Sequence, residues 1–441
     1  MSTVALHDLS KLSTDERAEL LSRAEDDLAP FMAKIGPIIE AVKSEGDAAL
    51  ARFAQEFDGA DVQADAIAAT GAEIEAAYDK LDPAFIDVLR YSADNIRRFH
   101  ERQMPEKEWM MEIRPGAHVG ERYTPIDSVA CYSPRGKGSF PSVTLMSVIP
   151  AVVAGVKEVI VLTPALPDGS IDPATLVAAD IAGTRKVFKA GGAQAVAAAA
   201  YGTQTIPRCY KIEGPGSPWL AAAKVMLSSR IDPGMPAGPS EAIVFADETA
   251  NAHVAALDTI IESEHGDDSS VFLVTTSAEL AEQARAQIPV YWESMSAERK
   301  GYSSTVLGSK RGGIVLCESA QQAYDFINDY APEHLQILSK EPEGHVPHIR
   351  NAAEILMGQD TPGSIANYMM GPNCVLPTSG AAHTRSPLGV FNFLKSCSLG
   401  KLTREGLQEM GPKTEIFATY EGFDAHANAV GEMREKARGN G

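Results

Sequence analysis

In the stretch Ala331-Pro-Glu-His-Leu335 an acid and an imidazole stand side by side, directly after a helix-like run and directly before a strand-like one. Pro332 forbids continuation of the helix that ends at Tyr330, and Leu335-Gln-Ile-Leu338 resumes an apolar pattern. Adjacent side chains leaving such a turn can present Glu333 and His334 to one small space, which suits two proton transfers in one site. Taken alone, the pair fits an exposed loop better than a site, since most charged residues are solvated. A second constellation is Glu262-Ser-Glu-His265, where a carboxylate and an imidazole three apart share one helix face and can reach one ion of the zinc or manganese type. The alternative is a solvated acidic helix end, with His265 at the negative pole of the helix dipole. A third is Gly191-Gly192-Ala-Gln194, a turn between strand and helix that aims backbone N–H groups at an anion or is simply a tight connection. No GxGxxG is present.

The elements that must position these residues follow from periodicity. Before about Met104 the pattern is helical: Glu16 to Asp27, Phe31 to Glu45, Asp47 to Phe57 and Pro83 to Gln103. From Ile126 the rhythm becomes strand, Gly-rich turn, helix. Strands are expected at 127–132, 158–163, 186–189, 209–212, 242–246, 271–276 and 313–317. Helices are expected at 141–154, 173–182, 192–200, 250–264 and 320–330. This alternation predicts parallel sheets of the doubly wound class, with ligands beyond the carboxyl ends of the strands. The stretches 363–368 and 371–380 are turn-rich, and 422–438 is expected to be one final helix containing His426.

Size and charge narrow the function classes. A chain of 441 residues holds two to three folded units at about 100–200 residues each. Its net charge of −20 argues against nucleic acid or an anionic membrane as partner, because both require a positive patch. A small anionic substrate needs only local positive charge. Five scattered cysteines without a CxxC pair fit reduced thiols in the cytoplasm. MSTVALHDLS lacks the layout of a signal peptide, and the most apolar window, 147–166, is broken by Pro150, Lys157, Glu158 and Pro164.

Taken together, EGDAALARFAQEFDG, PIDSVACYSPRG, KAGGAQAVAAAAYGT, KIEGPG, PAGPSEAIVFADETAN, SEHGDD, APEHLQI, GPNCVLPTSG and EGFDAHANAV, in this order, resemble the histidinol dehydrogenase family over about residues 30–435. The resemblance implies an α/β protein of two intertwined, incomplete Rossmann-like domains with an N-terminal helical arm and a C-terminal swapped tail. Its parts would be residues 1–30, then 31–131 with 241–385, then 132–240, then 386–441. It implies a zinc-dependent, NAD-linked oxidation of a primary alcohol to a carboxylate through a held aldehyde, by a homodimer with shared active sites. His334 would be the base that takes the alcohol proton, and Glu333 would activate water against the aldehyde. Zinc would fall on Glu262, His265, Asn367 and His426, the last from the second copy. NAD would fall on Tyr132, Gln194 and Ser217, and substrate contacts on Ser240 and Glu421.

The departures from the family pattern bear on the substrate. Glu262, Asn367 and Cys374 stand where the family usually has Gln, Asp and His, and Ser217-Pro-Trp219 replaces an Asn-led turn. Arg135 and Lys137 follow Tyr132 where small neutral residues are usual. These changes resemble the sulfopropanediol dehydrogenase branch, which implies an anionic alcohol, 2,3-dihydroxypropane-1-sulfonate, oxidised to sulfolactate. Arg135, Lys137 and Arg385 are its candidate sulfonate partners. L-histidinol is the alternative substrate, and an inactive metal-binding scaffold is the alternative of another class. Cys374 is expected to be an inert thiol.

Overall fold

The computed structural model describes residues 4–23, 28–135 and 138–439. Its strands, in chain order, begin with β1 (Leu6–Asp8), β2 (Glu108–Arg114) and β3 (Ala117–Pro125). Next come β4 (Ser128–Tyr132), β5 (Glu158–Thr163), β6 (Val187–Lys189) and β7 (Lys211–Glu213). The last are β8 (Glu241–Ala246), β9 (Ser270–Thr275), β10 (Gly312–Leu316), β11 (His334–Leu338), β12 (Glu354–Met357) and β13 (Leu394–Leu402).

The larger unit, 1–103 with 126–393, contains two parallel sheets ordered β1-β10-β9-β8-β11-β12 and β6-β5-β4-β7. β4, β5, β8 and β9 are buried along nearly their whole length rather than on alternate residues, as expected when helices cover both faces. On one face of the six-stranded sheet Ala255, Ala256 and Ile260 of helix Ala252–Ser263 pack against Val244 and Leu338; on the other, Phe326, Ile327 and Tyr330 of helix Ala320–Tyr330 pack against Leu335 and Ile337. Alternate residues of β11 therefore face different helices, with His334, Gln336 and Leu338 toward the first. The helices at 29–45 and 47–53, grouped by resemblance with the metal-bearing domain, bury Ile35, Ile39, Leu50 and Phe53 in the core of the four-stranded sheet.

The helices expected at 141–154, 173–182, 83–103 and 320–330 are found with those limits, because proline or a polar cap marks each start. Three expectations need correction. The N-terminal stretch is not wholly helical: Leu6–Asp8 adds a parallel edge strand to β10, too short for a period to show in sequence. Residues 363–368 form a helical turn rather than a loop. The single helix expected at 422–438 is two short ones, Asp424–Asn428 and Glu432–Ala437, preceded by the long helix Arg404–Tyr420. Gly431 and the turn at 421–423 interrupt the periodicity.

The second unit, 104–125 with 394–441, holds these three helices and an antiparallel sheet ordered β13-β3-β2. Among the described residues no helix is long and apolar enough to cross a membrane.

Candidate active site

Glu333 and His334 are each 7% exposed, so the loop alternative for the pair is excluded. The turn that delivers them is strained. Ala331, which ends the helix, takes φ of +51°, a left-handed conformation that costs a non-glycine residue about 1–2 kcal/mol. Its N–H still donates to Ile327 O, 2.8 Å away, and the chain then enters β11 at His334 itself. The side chains therefore sit at the amino end of β11, not beyond a carboxyl end as the doubly wound pattern predicts. Only the four-stranded sheet contributes carboxyl ends, through the loops after β4 and β7.

Together these edges enclose a cavity of about 600 Å³ within the larger unit. Its wall includes Glu262, His265, Glu333, His334, Asn367, Ser240 and Cys374, with Arg135, Ser217 and Trp219 from the loops of the smaller sheet. Phe31 and Leu376, 345 positions apart in sequence, thus share one space.

The imidazole is held from behind. His334 Nδ1 lies 2.9 Å from Glu354 Oε2, a partner placed by strand register, since His334 and Glu354 are paired across β11 and β12. A carboxylate there accepts the Nδ1 proton and leaves the lone pair of a neutral ring on Nε2. Nε2 is 3.8 Å from Glu333 Oε1, beyond hydrogen-bond reach, so the two groups can act on different protons. Glu354 escaped the sequence reading because 20 residues and a loop separate it from His334; only the pairing of adjacent parallel strands reveals it. Glu333 Oε2 in turn accepts the Glu241 N–H at 3.0 Å. Burial, with the negative charge of Glu262 and Glu241, holds the Glu333 carboxyl well above the usual carboxylate range, against the opposing pull of His334. Burial also works against a charged His334, but Glu262, Glu333 and Glu354 outweigh it and raise the imidazole well above its ordinary value.

Glu262 and His265 close helix Ala252–Ser263 and the turn after it. Burial pushes the Glu262 carboxyl up, but His265, His334 and hydrogen bonds from Asn367 and Ser240 reverse the shift, so it is ionised. Asn367 Nδ2 donates to Glu262 Oε1 at 2.8 Å, and His265 Nδ1 is 3.2 Å from Glu262 Oε2. Beside this carboxylate Asn367 Oδ1 is buried without a hydrogen-bond partner, and buried His265 Nδ1 has no hydrogen bond, only its charge contact with Glu262. Unpartnered buried acceptors are costly, and a carboxylate, an imidazole nitrogen and an amide oxygen side by side are the donor set of a divalent cation. Among the described residues no three His, Cys, Asp or Glu side chains form such a group, so a divalent cation held here would draw on the Asn367 amide oxygen as a third donor. The residues thus fit zinc, with a fourth donor still to be supplied.

The remaining expected residues are placed unevenly. Ser217 and Ser240 line the cavity. Tyr132 and Gln194 are buried at the carboxyl edge of the smaller sheet and do not form part of its wall; the Tyr132 hydroxyl accepts the Gly192 N–H at 3.1 Å. Arg135 lines the cavity, whereas Arg385 is exposed and outside its wall. Lys137 lies outside the described residues. Glu421 and His426 belong to the second unit, where they line a surface pocket with Phe417 and Phe423. Burial and the carboxylates of Glu354, Glu262 and Glu333 push the Cys374 thiol up, so it faces the cavity protonated.

The sequence profile of the family described as Histidinol dehydrogenase matches residues 21–434. A protein of Colwellia psychrerythraea named "Histidinol dehydrogenase homolog" is 57% identical over 98% of this chain and 97% of its own. The "Histidinol dehydrogenase" of Synechocystis is 45% identical over 96% of this chain and 98% of its own. The crystal structure of histidinol dehydrogenase from Elizabethkingia anophelis, 31% identical, superposes with a TM-score of 0.92 over 99% of both chains.

Proposed function

Because the chain belongs to the histidinol dehydrogenase family of NAD-dependent oxidoreductases, we propose that it oxidises a small anionic primary alcohol, 2,3-dihydroxypropane-1-sulfonate, to sulfolactate with zinc bound at Glu262, His265 and Asn367. Alcohol, water and two NAD become carboxylate, two NADH and three protons. His334 Nε2 takes the hydroxyl proton while hydride leaves the same carbon for NAD, giving an aldehyde. Glu333 then removes a proton from water as the water oxygen bonds to the aldehyde carbon, and as the second hydride leaves that carbon for NAD, His334 takes the remaining hydroxyl proton, giving the carboxylate. When bound, zinc would fix and polarise the alcohol oxygen. Burial of Glu333 and His334 keeps bulk water away from the aldehyde.

The observation that carries the metal reading is the Asn367–Glu262 hydrogen bond. Where the family usually has a Gln and an Asp, this chain has Glu262 and Asn367, so an amide still faces a carboxylate with the two positions exchanged and the charge unchanged. The substrate reading is supported by Cys374 in the cavity wall, where a histidine would face an imidazole, and by the cation of Arg135 in the same wall. The name "homolog" on the 57% identical relative, against the unqualified name on the 45% identical one, fits a separate branch.

The testing experiment is NADH production from each alcohol before and after removal of metal with a chelator. We expect the sulfonate to exceed L-histidinol in kcat/KM by at least about tenfold, the discrimination of a single well-matched polar contact. Chelation should abolish activity, and added zinc should restore it. Preference for histidinol would sink the substrate reading; full activity in the metal-free protein would sink the metal.

His426 and Glu421 are assigned to the neighbouring copy's site, making the enzyme a homodimer in which the tail of one copy supplies the fourth donor. Mixing inactive His334→Asn with inactive His426→Ala through a denaturation and refolding cycle should then regenerate activity, since one site of each heterodimer is intact. No recovery in mixtures shown to contain heterodimer would refute a shared site.

A further inference from the structure

Gln336 is a buried amide in the middle of β11, two residues beyond His334 and on the same face of the strand. An uncharged polar side chain at such a position needs partners, and it has two on different elements. Gln336 Nε2 donates to Asp258 Oδ2 at 2.7 Å and to the Thr361 carbonyl at 3.1 Å. Asp258 lies one helical turn before Glu262 on the helix that ends at the metal donors. Thr361 stands just ahead of helix Gly363–Tyr368, which carries Asn367. One amide group therefore ties together the strand of His334, the helix of Glu262 and His265, and the short helix of Asn367.

We infer that Gln336 is a positioning residue that sets the separation between Asn367 and the Glu262–His265 pair, and thereby the affinity of the metal site. Helix Gly363–Tyr368 has six residues and buries only Ala366, too little apolar surface to fix its own position. Its exit is held by Ser92 and Asn95, which donate to the Tyr368 and Met369 carbonyls, and its entrance is tied to β11 by the Gln336 bond to Thr361. The bond to Asp258 is strong for the same reason that it is needed: burial lifts that carboxyl to about 6, still ionised at neutral pH, and Gln336 is the donor that opposes the shift. An outer partner that orients metal donors is worth roughly 10–100-fold in affinity.

The inference rests on the metal reading, and its test separates the two. Zinc affinity of the full-length protein is measured by competition with a chromophoric chelator, and NAD affinity by calorimetry on the same samples. Gln336→Met, which keeps volume but neither bond, should weaken zinc roughly 10–100-fold with NAD affinity little changed. Asp258→Leu breaks one of the two bonds from the other side and should weaken zinc in the same direction, while Asp258→Asn retains an acceptor oxygen and should restore most of the affinity. Failure of the wild-type protein to bind zinc would overturn the metal reading and this inference with it. Wild-type zinc binding with unchanged affinity in Gln336→Met overturns the inference alone, as does equal loss of zinc and NAD affinity. If Gln336→Met does not fold, unchanged zinc affinity in Asp258→Leu overturns it by the same measure.

Discussion

Replacing His334 with asparagine should lower kcat for both oxidations by about 10²–10⁴-fold, the usual contribution of a positioned general base. The expectation rests on the placement of His334 in the cavity wall, with Nδ1 committed to Glu354 at 2.9 Å. Asparagine removes the base while leaving Glu333 and the metal donors in place, so NAD affinity should change little. The pH profile gives an independent check. Only the neutral imidazole can accept a proton, and Glu262, Glu333 and Glu354 overcome the effect of burial to hold the ring protonated to higher pH than usual. For wild type, kcat/KM for the alcohol should therefore climb as pH rises; positive charge held at Glu262 and His265 would move that climb to lower pH without reversing it. In His334→Asn this limb should vanish. A His334→Asn variant with near-normal turnover and the same limb would remove His334 from the mechanism.

Glu333→Gln should separate the two halves of the reaction. Oxidation of the aldehyde, which consumes water, should fall by about 10²–10⁴-fold, whereas oxidation of the alcohol should fall by only a few fold. Stopped-flow traces should then show one NADH formed per site before a slow phase, where wild type forms two. The physical basis is the separation of the side chains: Glu333 Oε1 is 3.8 Å from His334 Nε2, too far to act as one hydrogen-bonded unit. Glutamine keeps the acceptor for the Glu241 N–H, so the backbone at the start of β8 should not move. A raised carboxyl is also what a water-activating base at neutral to alkaline pH requires. Equal loss of both stages would show that the two residues work as one unit and that the division of labour is wrong.

Much of this architecture is legible in the chain. Pro83, Pro141, Pro173 and the cap Ser319 mark helix starts through local chemistry that no tertiary contact overrides. The apolar runs of β5, β8 and β9 announce strands covered on both faces. The failures have equally local causes. β1 is three residues long, and helix 363–368 is a single turn and a half, so neither shows a period. The antiparallel ladder pairs β3 with β13, where Leu402 faces Ala117, and nothing in the largely exposed β13 marks it as a strand with so distant a partner.

The site divides in the same way. Residue types and short spacings determined which groups could do chemistry: Glu333 beside His334, and Glu262 one helical turn before His265. They could not determine which edge of the sheet the pair faces, because an acid–imidazole pair at a turn looks the same at either end of a strand. Tertiary structure put it at the amino end of β11 and supplied Glu354 through strand register. It also brought Asn367 to Glu262 across 105 positions and tied both to β11 through Gln336. A carboxylate becomes a metal donor or a base according to the charges and hydrogen bonds around it, and in this chain those neighbours are distant in sequence, so the surroundings that decide between such roles exist only in the folded protein.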